Sequence, residues 1–304
     1  MNQVSVCIPT YNGAAYIAEA VASVLNQTFT GFELIISDDN STDNTLSVVE
    51  SFPDDRLRVV RNHQRRGLVG NWNHCLELAR GEFITLFHQD DVMRPENLAE
   101  KLALLRSHPG AGLVYSDIER IDAKSRVIGG HYVAQPDETT VMPGCRLFAL
   151  AAAVGNPVAC PTVMARAGCY REVGLFDERL EFAVDLEMWL RMAARYDVGF
   201  IARPLVAHRV HAAQEGGRYR DTGRDFEDVL RALDMVFSRE LPDRCAETAF
   251  KAYQTLAAQA RTMARWQARR GRIPAAARYL VVACRAAQRL KTTPPVPVAP
   301  LHTS

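Results

Sequence analysis

Short apolar runs alternate with helical apolar patterns along the first 120 residues. Residues 4–8 form a run that predicts a strand ending at Pro9, and Ile17, Val21, Val24 and Leu25 then recur at helical spacing. Strands alternating with helices favour an α/β fold with a mainly parallel sheet covered on both faces. Further strands are predicted at 32–37, 57–60, 83–87 and 113–115, and further helices at 72–79 and 95–107.

The pattern changes twice after residue 120. A hairpin is predicted near Gly129 and Gly130, and a helix over 185–195, within an otherwise irregular stretch. Helical patterns dominate beyond it, with breaks expected at Gly271 and Pro274. The predicted organisation is a domain over 1–215 with halves at about 1–120 and 120–215, a helical region over 216–291, and a disordered proline-containing tail over 292–304.

Composition narrows the function classes. The chain has 304 residues and a net charge of +1, which argues against a protein that coats nucleic acid. No apolar run reaches the ~18 residues of a membrane span, and the first residues do not resemble a secretory signal. Seven scattered cysteines fit reduced core residues better than a disulfide framework. We therefore expect a cytoplasmic protein.

Polar clusters follow three of the predicted strands. They are Thr10 to Asn12, the pair Asp38 and Asp39, and the run 88–91, which ends in Asp90 and Asp91. Because ligands of parallel sheets bind beyond the carboxyl ends of the strands, these clusters are expected to face one crevice. Adjacent carboxylates repel each other unless a cation lies nearby, and Mg²⁺ or Mn²⁺ suits such oxygen ligands. The alternative is that each acidic pair only caps the following helix.

Four segments occur in a characteristic order: VSVCIPTYNGAAYIAEAVASVLNQTFTGFELIISDDNSTDNT, GNWNHCLELARGEFITLFHQDD, VGLFDERLEFAVDLEMWLRMA and HRVH. Together they resemble the family 2 glycosyltransferases over about residues 3–215. The resemblance implies a GT-A fold, a Rossmann-like α/β arrangement with a C-terminal helical appendage. It also implies metal-dependent transfer of a sugar from a nucleotide-sugar donor to an acceptor hydroxyl, with inversion of the anomeric centre. The helical remainder matches no motif that we can name.

The resemblance implies a nucleotide pocket at the first two strand ends. By matching positions, Pro9, Thr10 and Tyr11 would line this pocket, with Tyr11 against the base. Asp39 would accept the imino hydrogen of a uracil-like base, so a UDP- or dTDP-sugar is the expected donor.

The resemblance also implies a metal motif after the fourth strand. Asp90 would lie nearer the ribose, and Asp91 would bind the divalent cation, Mn²⁺ or Mg²⁺, that bridges the diphosphate. His211 matches a histidine that helps to bind metal or diphosphate in some relatives, the alternative being a structural histidine. Many relatives carry an acidic residue two positions before the last aspartate, where this chain has Gln89. His88 is expected to pack rather than to bind metal.

Asp185 matches the catalytic base of the family. It lies 94 residues after Asp91 and precedes Trp189 and Arg191 at the family's spacing. A base on the acceptor side must remove a hydroxyl proton while the bond to the sugar forms. Glu187 is the competing candidate, but two residues further along a helix it should point elsewhere. The alternative for Asp185 is an acidic residue favoured by the positive end of its helix.

Partners and rival functions follow from the same motifs. A sugar or a lipid-linked glycan is the expected acceptor, in polysaccharide or glycoconjugate biosynthesis. The basic stretch 261–270 with its tryptophan favours a solvated helix face, the alternative being peripheral contact with an anionic membrane at the inner face. One rival function is a nucleotidyltransferase, although Thr10 to Gly13 lacks the expected basic, glycine-rich loop. The other is a catalytically silent sugar-nucleotide-binding scaffold.

Overall fold

The computed structural model describes residues 3–133, 135–212, 214, 219 and 222–293. Within these ranges the strands are β1 (Val4–Thr10), β2 (Phe32–Asp38), β3 (Leu57–Arg61), β4 (Phe83–Leu86), β5 (Val92–Met93), β6 (Ala111–Ile121), β7 (Val127–Gly129), β8 (Thr140–Met142), β9 (Met164–Arg166) and β10 (Asp197–Arg209). The strands belong to one sheet with the order β3-β2-β1-β4-β9-β6-β10-β5, to which β7 and β8 are added on β6 and β10.

Helices cover this sheet and continue beyond it. They are α1 (Ile17–Leu25), α2 (Thr45–Glu50), α3 (Gly67–Leu78), α4 (Asn97–Ser107), α5 (Gly144–Val154), α6 (Ala167–Val173), α7 (Val184–Ala193), α8 (Arg224–Phe237), α9 (Asp243–Ala246), α10 (Ala249–Arg269) and α11 (Ile273–Thr292), with a short 3₁₀ turn at Cys160–Thr162. The predicted α/β fold with a helical C-terminal region is confirmed.

Parallel pairing joins the long strands, and antiparallel pairing joins the short ones. β1 lies parallel between β2 and β4, and β6 lies parallel to β10. The short strand β9 links the two halves of the sheet through antiparallel pairs with β4 and β6. The predicted hairpin is β6 and β7, which pair antiparallel. The carboxyl ends of β1, β2 and β4 consequently lie side by side.

The first strand is longer than the sequence predicts. It continues through Pro9 to Thr10, pairing with Ser37 and Asp38 of β2. On the other side of β1, the pairing with β4 ends at Cys7. Proline has no backbone N–H, but no hydrogen bond to β4 is required at Pro9. Pro9 therefore does not end the strand, and Thr10 at its carboxyl end is paired with Asp38.

The C-terminal helices share a hydrophobic core with the sheet. Ala257 and Ala260 of α10 and Ala283 and Ala286 of α11 are buried, and these small residues let the two helices pack closely. Gly271, with φ of 71°, separates α10 from α11 as expected. Pro274 does not break a helix, because it lies in the first turn of α11, where no backbone donor is required.

Two sequence predictions fall partly outside the described residues. The boundary expected at 215/216 lies among residues that the structure does not describe, and so does the tail from 294 onward; α11 itself continues to Thr292. The basic stretch lies on α10, where Arg270 stacks over the ring of Trp266 at 4.0 Å. Among the described residues, no helix combines the length and apolar character that a membrane crossing requires.

Candidate functional site

One cavity of about 840 Å³ opens at the carboxyl ends of β1, β2 and β4. It extends from the nucleotide-binding side predicted from sequence to the N-terminal end of α7 and the faces of α8 and α10. Its walls come from both halves of the predicted domain and from the C-terminal helices. Sequence-predicted residues that line it are Pro9, Thr10, Tyr11, Asp39, Asp90, Asp185 and His211.

Gln89 fixes the end of β1 at this cavity. The Tyr11 N–H donates to Gln89 Oε1 at 3.0 Å, and Gln89 Nε2 donates to the Tyr11 carbonyl at 3.3 Å. The Thr10 hydroxyl donates to the same Oε1. Gly13 lies so close that a Cβ there would approach this oxygen to 2.3 Å. Gln89 thus orders the β1 end and does not replace the missing acidic group at the cavity.

Asp39 is buried and already accepts several hydrogen bonds. Its carboxylate accepts from the backbone N–H groups of Arg66 at 2.7 Å and Gly67 at 2.9 Å, and from Asn62 Nδ2 at 3.1 Å. A carboxylate has about four acceptor positions, so one remains for a ligand donor. Arg65 lies above, with its guanidinium 3.7 Å from the centre of the Tyr11 ring. A base that binds against that face of Tyr11 must displace or stack with Arg65.

Asp90 faces the cavity as one half of a pair with His211. Asp90 Oδ2 lies 2.9 Å from His211 Nε2, and the two side chains are mostly but not fully buried. Burial raises the pKa of Asp90, but the His211 hydrogen bond and nearby imidazoles lower it more, so the net pKa lies below its ordinary value. Asp90 is therefore ionised at neutral pH and available to a cation.

Asp91 is fully buried and is not among the residues that line the cavity. Its carboxylate accepts the backbone N–H of Arg209 at 2.8 Å and lies 3.2 Å from His208 Nδ1. His88 Nδ1 is 3.6 Å away. Arg209 also donates from Nε to the Asp90 carbonyl at 2.7 Å, so one buried arginine holds both aspartates in place.

The donor set around these aspartates fits a divalent cation. Ligand atoms of His88, Asp90 and Asp91 lie within 4.8 Å of one another. Burial lowers the pKa of His88, although the carboxylates of Asp91 and Asp90 partly offset this, so its imidazole is neutral and able to bind metal. Carboxylate oxygens suit both Mg²⁺ and Mn²⁺, whereas imidazole nitrogen favours Mn²⁺ of the two. A divalent metal is suggested by this arrangement.

Asp185, in the first turn of α7, lines the same cavity. Its Oδ1 accepts the N–H of Leu186 at 2.8 Å, and its Oδ2 accepts from Asn156 Nδ2 at 3.0 Å. Burial raises the pKa of Asp185 to about 6, although both hydrogen bonds lower it. A carboxylate with this pKa is ionised at neutral pH yet basic enough to take a proton, which is what general base catalysis requires.

Glu187, the competing candidate, is fully buried on the opposite side of α7. It forms an ion pair with Arg191 at 2.8 Å and lies 3.5 Å from Arg239. Glu187 does not line the cavity, and its contacts give it a structural role. This orientation agrees with the helical geometry that favoured Asp185 in the sequence.

Several residues of this site escaped the sequence analysis. His88 was expected to pack, and it does stack on Trp72 at 5.7 Å, but it also belongs to the metal-competent cluster. His208 lines the cavity and contacts Asp91. Its position at the end of β10, parallel to β6, was the missing information, since β10 was not predicted as a strand. Asn156 precedes a proline in a loop and carried no sequence signal.

Comparison with known proteins assigns the family. The sequence model of Glycosyl transferase family 2 matches residues 5–166, which is more than half of the chain. An uncharacterised protein of Mycobacterium tuberculosis is 33% identical over 239 residues, covering 76% of this chain and 74% of that protein. The chain therefore belongs to glycosyltransferase family 2, and the assignment made from the sequence is confirmed. A further relative is the UDP-Glc:alpha-D-GlcNAc-diphosphoundecaprenol beta-1,3-glucosyltransferase WfgD of Escherichia coli, 31% identical over 53% of this chain and 64% of that protein.

Solved structures show the same fold. TarS 1–349 of S. aureus, in complex with UDP-GlcNAc, superposes with a TM-score of 0.68 at 18% identity, covering 94% of this chain and 92% of that chain. The mannosyltransferase PcManGT of Pyrobaculum calidifontis, in complex with GDP-Man and Mn²⁺, has a TM-score of 0.62 at 21% identity, covering 95% and 79%. The predicted GT-A fold is confirmed.

Proposed function

We propose that this glycosyltransferase moves a sugar from a UDP- or dTDP-sugar to an acceptor hydroxyl with inversion, using Asp185 as the base. The observation that carries this proposal is that one cavity contains both Asp185, with its raised pKa, and the Asp90–His211 pair. A carboxylate of raised pKa and a cation-competent acidic group in one cavity suit an in-line displacement. Holding donor and acceptor in this alignment supplies much of the rate.

The protein's own groups divide the work in this proposal. Asp185 removes the proton of the acceptor hydroxyl while that oxygen attacks the anomeric carbon from the face opposite the diphosphate. A bond to the acceptor oxygen forms as the bond to the diphosphate breaks, so a single displacement inverts the anomeric centre. Tyr11 and the remaining acceptor position of Asp39 orient the uracil or thymine ring of the donor. A divalent cation held by Asp90 and Asp91, with His211 nearby, would offset the charge of the leaving diphosphate.

The donor and the acceptor are proposed at the level of chemical class. The Asp39 carboxylate needs a donor group on the base, which the imino N–H of uracil or thymine provides. WfgD is a glucosyltransferase that joins UDP-Glc with a diphosphoundecaprenol-linked GlcNAc, and the structures of TarS and PcManGT hold UDP-GlcNAc and GDP-Man. We infer a sugar or lipid-linked glycan as the acceptor here, and thus a role in polysaccharide or glycoconjugate assembly.

A nucleotide-release assay tests this function. Purified protein is incubated with Mn²⁺ or Mg²⁺ and a panel of nucleotide sugars, and free UDP, dTDP and GDP are measured with and without EDTA. We expect chelator-sensitive release from one uracil or thymine donor, and loss of release without loss of donor binding in Asp185→Asn. Asp234→Asn, a change on α8 outside the cavity, serves as the control. Pyrophosphate as the product would indicate a nucleotidyltransferase, and near-normal turnover of Asp185→Asn would remove Asp185 from the role.

A further inference from the structure

The N-terminal end of α7 lacks a cap from its own segment. Ala183 is the N-cap residue, and it has no side-chain oxygen that could cap the helix. Asp228, on α8, supplies the acceptor instead. Its Oδ2 accepts from the backbone N–H groups of Glu181 at 2.9 Å, Phe182 at 2.7 Å and Ala183 at 2.9 Å. A single buried oxygen therefore orders the last three residues before the helix that carries Asp185.

This arrangement is a charge-assisted cap supplied from another element. Hydrogen bonds from amides to an ionised carboxylate are stronger than hydrogen bonds between neutral groups. A negative charge is also favoured at the positive end of a helix. Asp228 is 6% exposed, so water competes little for the carboxylate. Removing it leaves three donors without a partner at the point where α7 begins.

The rest of the same loop is also anchored. Arg231, one turn beyond Asp228, donates from Nη1 to the Arg179 carbonyl at 2.8 Å. At the other end of the loop, Asn73 of α3 both accepts from the Phe176 N–H at 2.9 Å and donates to the Phe176 carbonyl at 3.0 Å. The loop before α7 is thus held by α3 at one end and by α8 at the other.

We propose that Asp228 is a positioning residue for Asp185, and that α8 is consequently a working part of the active site. The inference rests on the proposed function, in which Asp185 is the base. Asp185 Oδ1 bonds to the N–H of Leu186, so the direction of its carboxylate follows the first turn of α7. Phe226 and Val229, which lie within two residues of Asp228 on α8, line the cavity. The family-model match ends at residue 166, before α7 and α8 begin.

Two readouts separate positioning from general stability. The first is hydrogen exchange of the amides at 181–183, which needs no activity. We expect faster exchange there in Asp228→Ala, partial recovery in Asp228→Asn, whose amide oxygen still accepts, and wild-type exchange in Asp234→Ala. Asp234 is the matched control because it lies on the same helix, but it bonds to Tyr253 and Arg289 and not to the α7 loop.

The second readout is whether the substitution lowers kcat or weakens donor binding. A displacement of Asp185 by about 1 Å should lower kcat by ~100-fold in Asp228→Ala, because reaction rates depend steeply on alignment. Donor binding, measured as the Kd for the nucleotide, should stay unchanged. Asp228→Asn should recover part of kcat, and should be used alone if the alanine variant does not fold.

The outcomes distinguish this proposal from the proposed function. Wild-type exchange at 181–183 or wild-type kcat in Asp228→Ala would overturn the positioning role, and so would equal losses of kcat in Asp228→Ala and Asp234→Ala. An Asp185→Asn enzyme with near-normal turnover would overturn the assignment of the base itself. In that case the exchange measurement still decides whether Asp228 orders the start of α7.

Discussion

Gln89 and Tyr11 form a reciprocal pair of hydrogen bonds between a side chain and a backbone. The Tyr11 N–H donates to Gln89 Oε1 at 3.0 Å, and Gln89 Nε2 donates back to the Tyr11 carbonyl at 3.3 Å. A primary amide has both a donor and an acceptor, whereas an ionised carboxylate can only accept. Gln89, which stands where many relatives have an acidic residue, therefore has a structural consequence. It orders Tyr11, the residue expected to contact the nucleobase.

Replacing Gln89 should weaken nucleotide binding. In Gln89→Glu the carboxylate still accepts from the Tyr11 N–H but repels the Tyr11 carbonyl, and in Gln89→Ala both bonds are lost. We expect the Kd for UDP to rise by ~10-fold in each variant, which corresponds to about 1.4 kcal/mol. Calorimetric titration in EDTA measures this without a contribution from metal bound by the new carboxylate. Wild-type affinity in both variants would show that Gln89 has no part in ordering the pocket.

The rate of transfer should depend on the ionisation of Asp185. Since burial raises the pKa of this residue to about 6, the fraction of ionised base increases as the pH rises through 6. We expect kcat/KM to increase about tenfold per pH unit below 6 and to level off above 7. Asn156→Ala removes a hydrogen bond that favours the ionised form, so its midpoint should move to higher pH.

A pH–rate profile of both enzymes at saturating metal measures this shift. Asn44→Ala, which changes an exposed asparagine at the start of α2, provides the control. A midpoint in Asn156→Ala equal to or below that of the wild type would contradict the assignment of the titration to Asp185.

The raised pKa of Asp185 also predicts that this buried carboxylate destabilises the fold at neutral pH. An unfolded aspartate has a pKa near 3.9, so between about pH 4 and 6 the folded chain holds a proton that the unfolded chain has released. Stability therefore falls as the pH rises through this window.

Asparagine does not titrate, so Asp185→Asn should be more stable than the wild type at pH 7.5, by about 1 kcal/mol or ~2 °C in Tm. The gain should be smaller at pH 4, where the wild-type Asp185 carboxyl is protonated in the native state and carries no buried charge. Thermal unfolding at the two pH values tests this, and an equal or lower Tm at pH 7.5 would contradict it.

Glu187 should affect stability rather than transfer. It is fully buried and paired with Arg191, so Glu187→Gln leaves a buried guanidinium without its charge partner. Breaking a buried ion pair in this way typically costs 3–5 kcal/mol, and we expect about 3 kcal/mol in urea unfolding. Glu50→Gln, on an exposed face of α2, should have little effect. If Glu187→Gln unfolds like the wild type but loses turnover, the catalytic assignment would pass from Asp185 to Glu187.

The sequence predicted the ends of the strands better than it predicted the contacts that distant elements make with the residues there. Periodicity located β1, β2 and β4, and the rule that ligands bind at carboxyl ends placed Thr10, Asp39 and Asp90 near one another. The burial of Asp91 was not foreseen, because it depends on the backbone of Arg209 in β10, far away in the sequence. The cap from Asp228 was hidden for the same reason, since it joins α7 to a helix that begins about 40 residues later. Local pattern finds elements, but contacts between distant elements decide which carboxylates face the cavity.

Removing His211 should weaken metal binding in the presence of nucleotide. His211 Nε2 lies 2.9 Å from Asp90 Oδ2, so it either orients this carboxylate or joins it as a ligand. Both roles predict that His211→Ala lowers the affinity for Mn²⁺ by ~10-fold or more, since partners of metal ligands typically contribute 10- to 100-fold. His74→Ala is the control, because His74 lies on α3 outside the cavity and its Nδ1 is 3.2 Å from Glu77 Oε2. Titration of Mn²⁺ followed by electron paramagnetic resonance, with saturating UDP, measures both affinities. Equal Mn²⁺ affinity in His211→Ala and His74→Ala would leave His211 with a structural role, packed against Tyr16 at 4.9 Å.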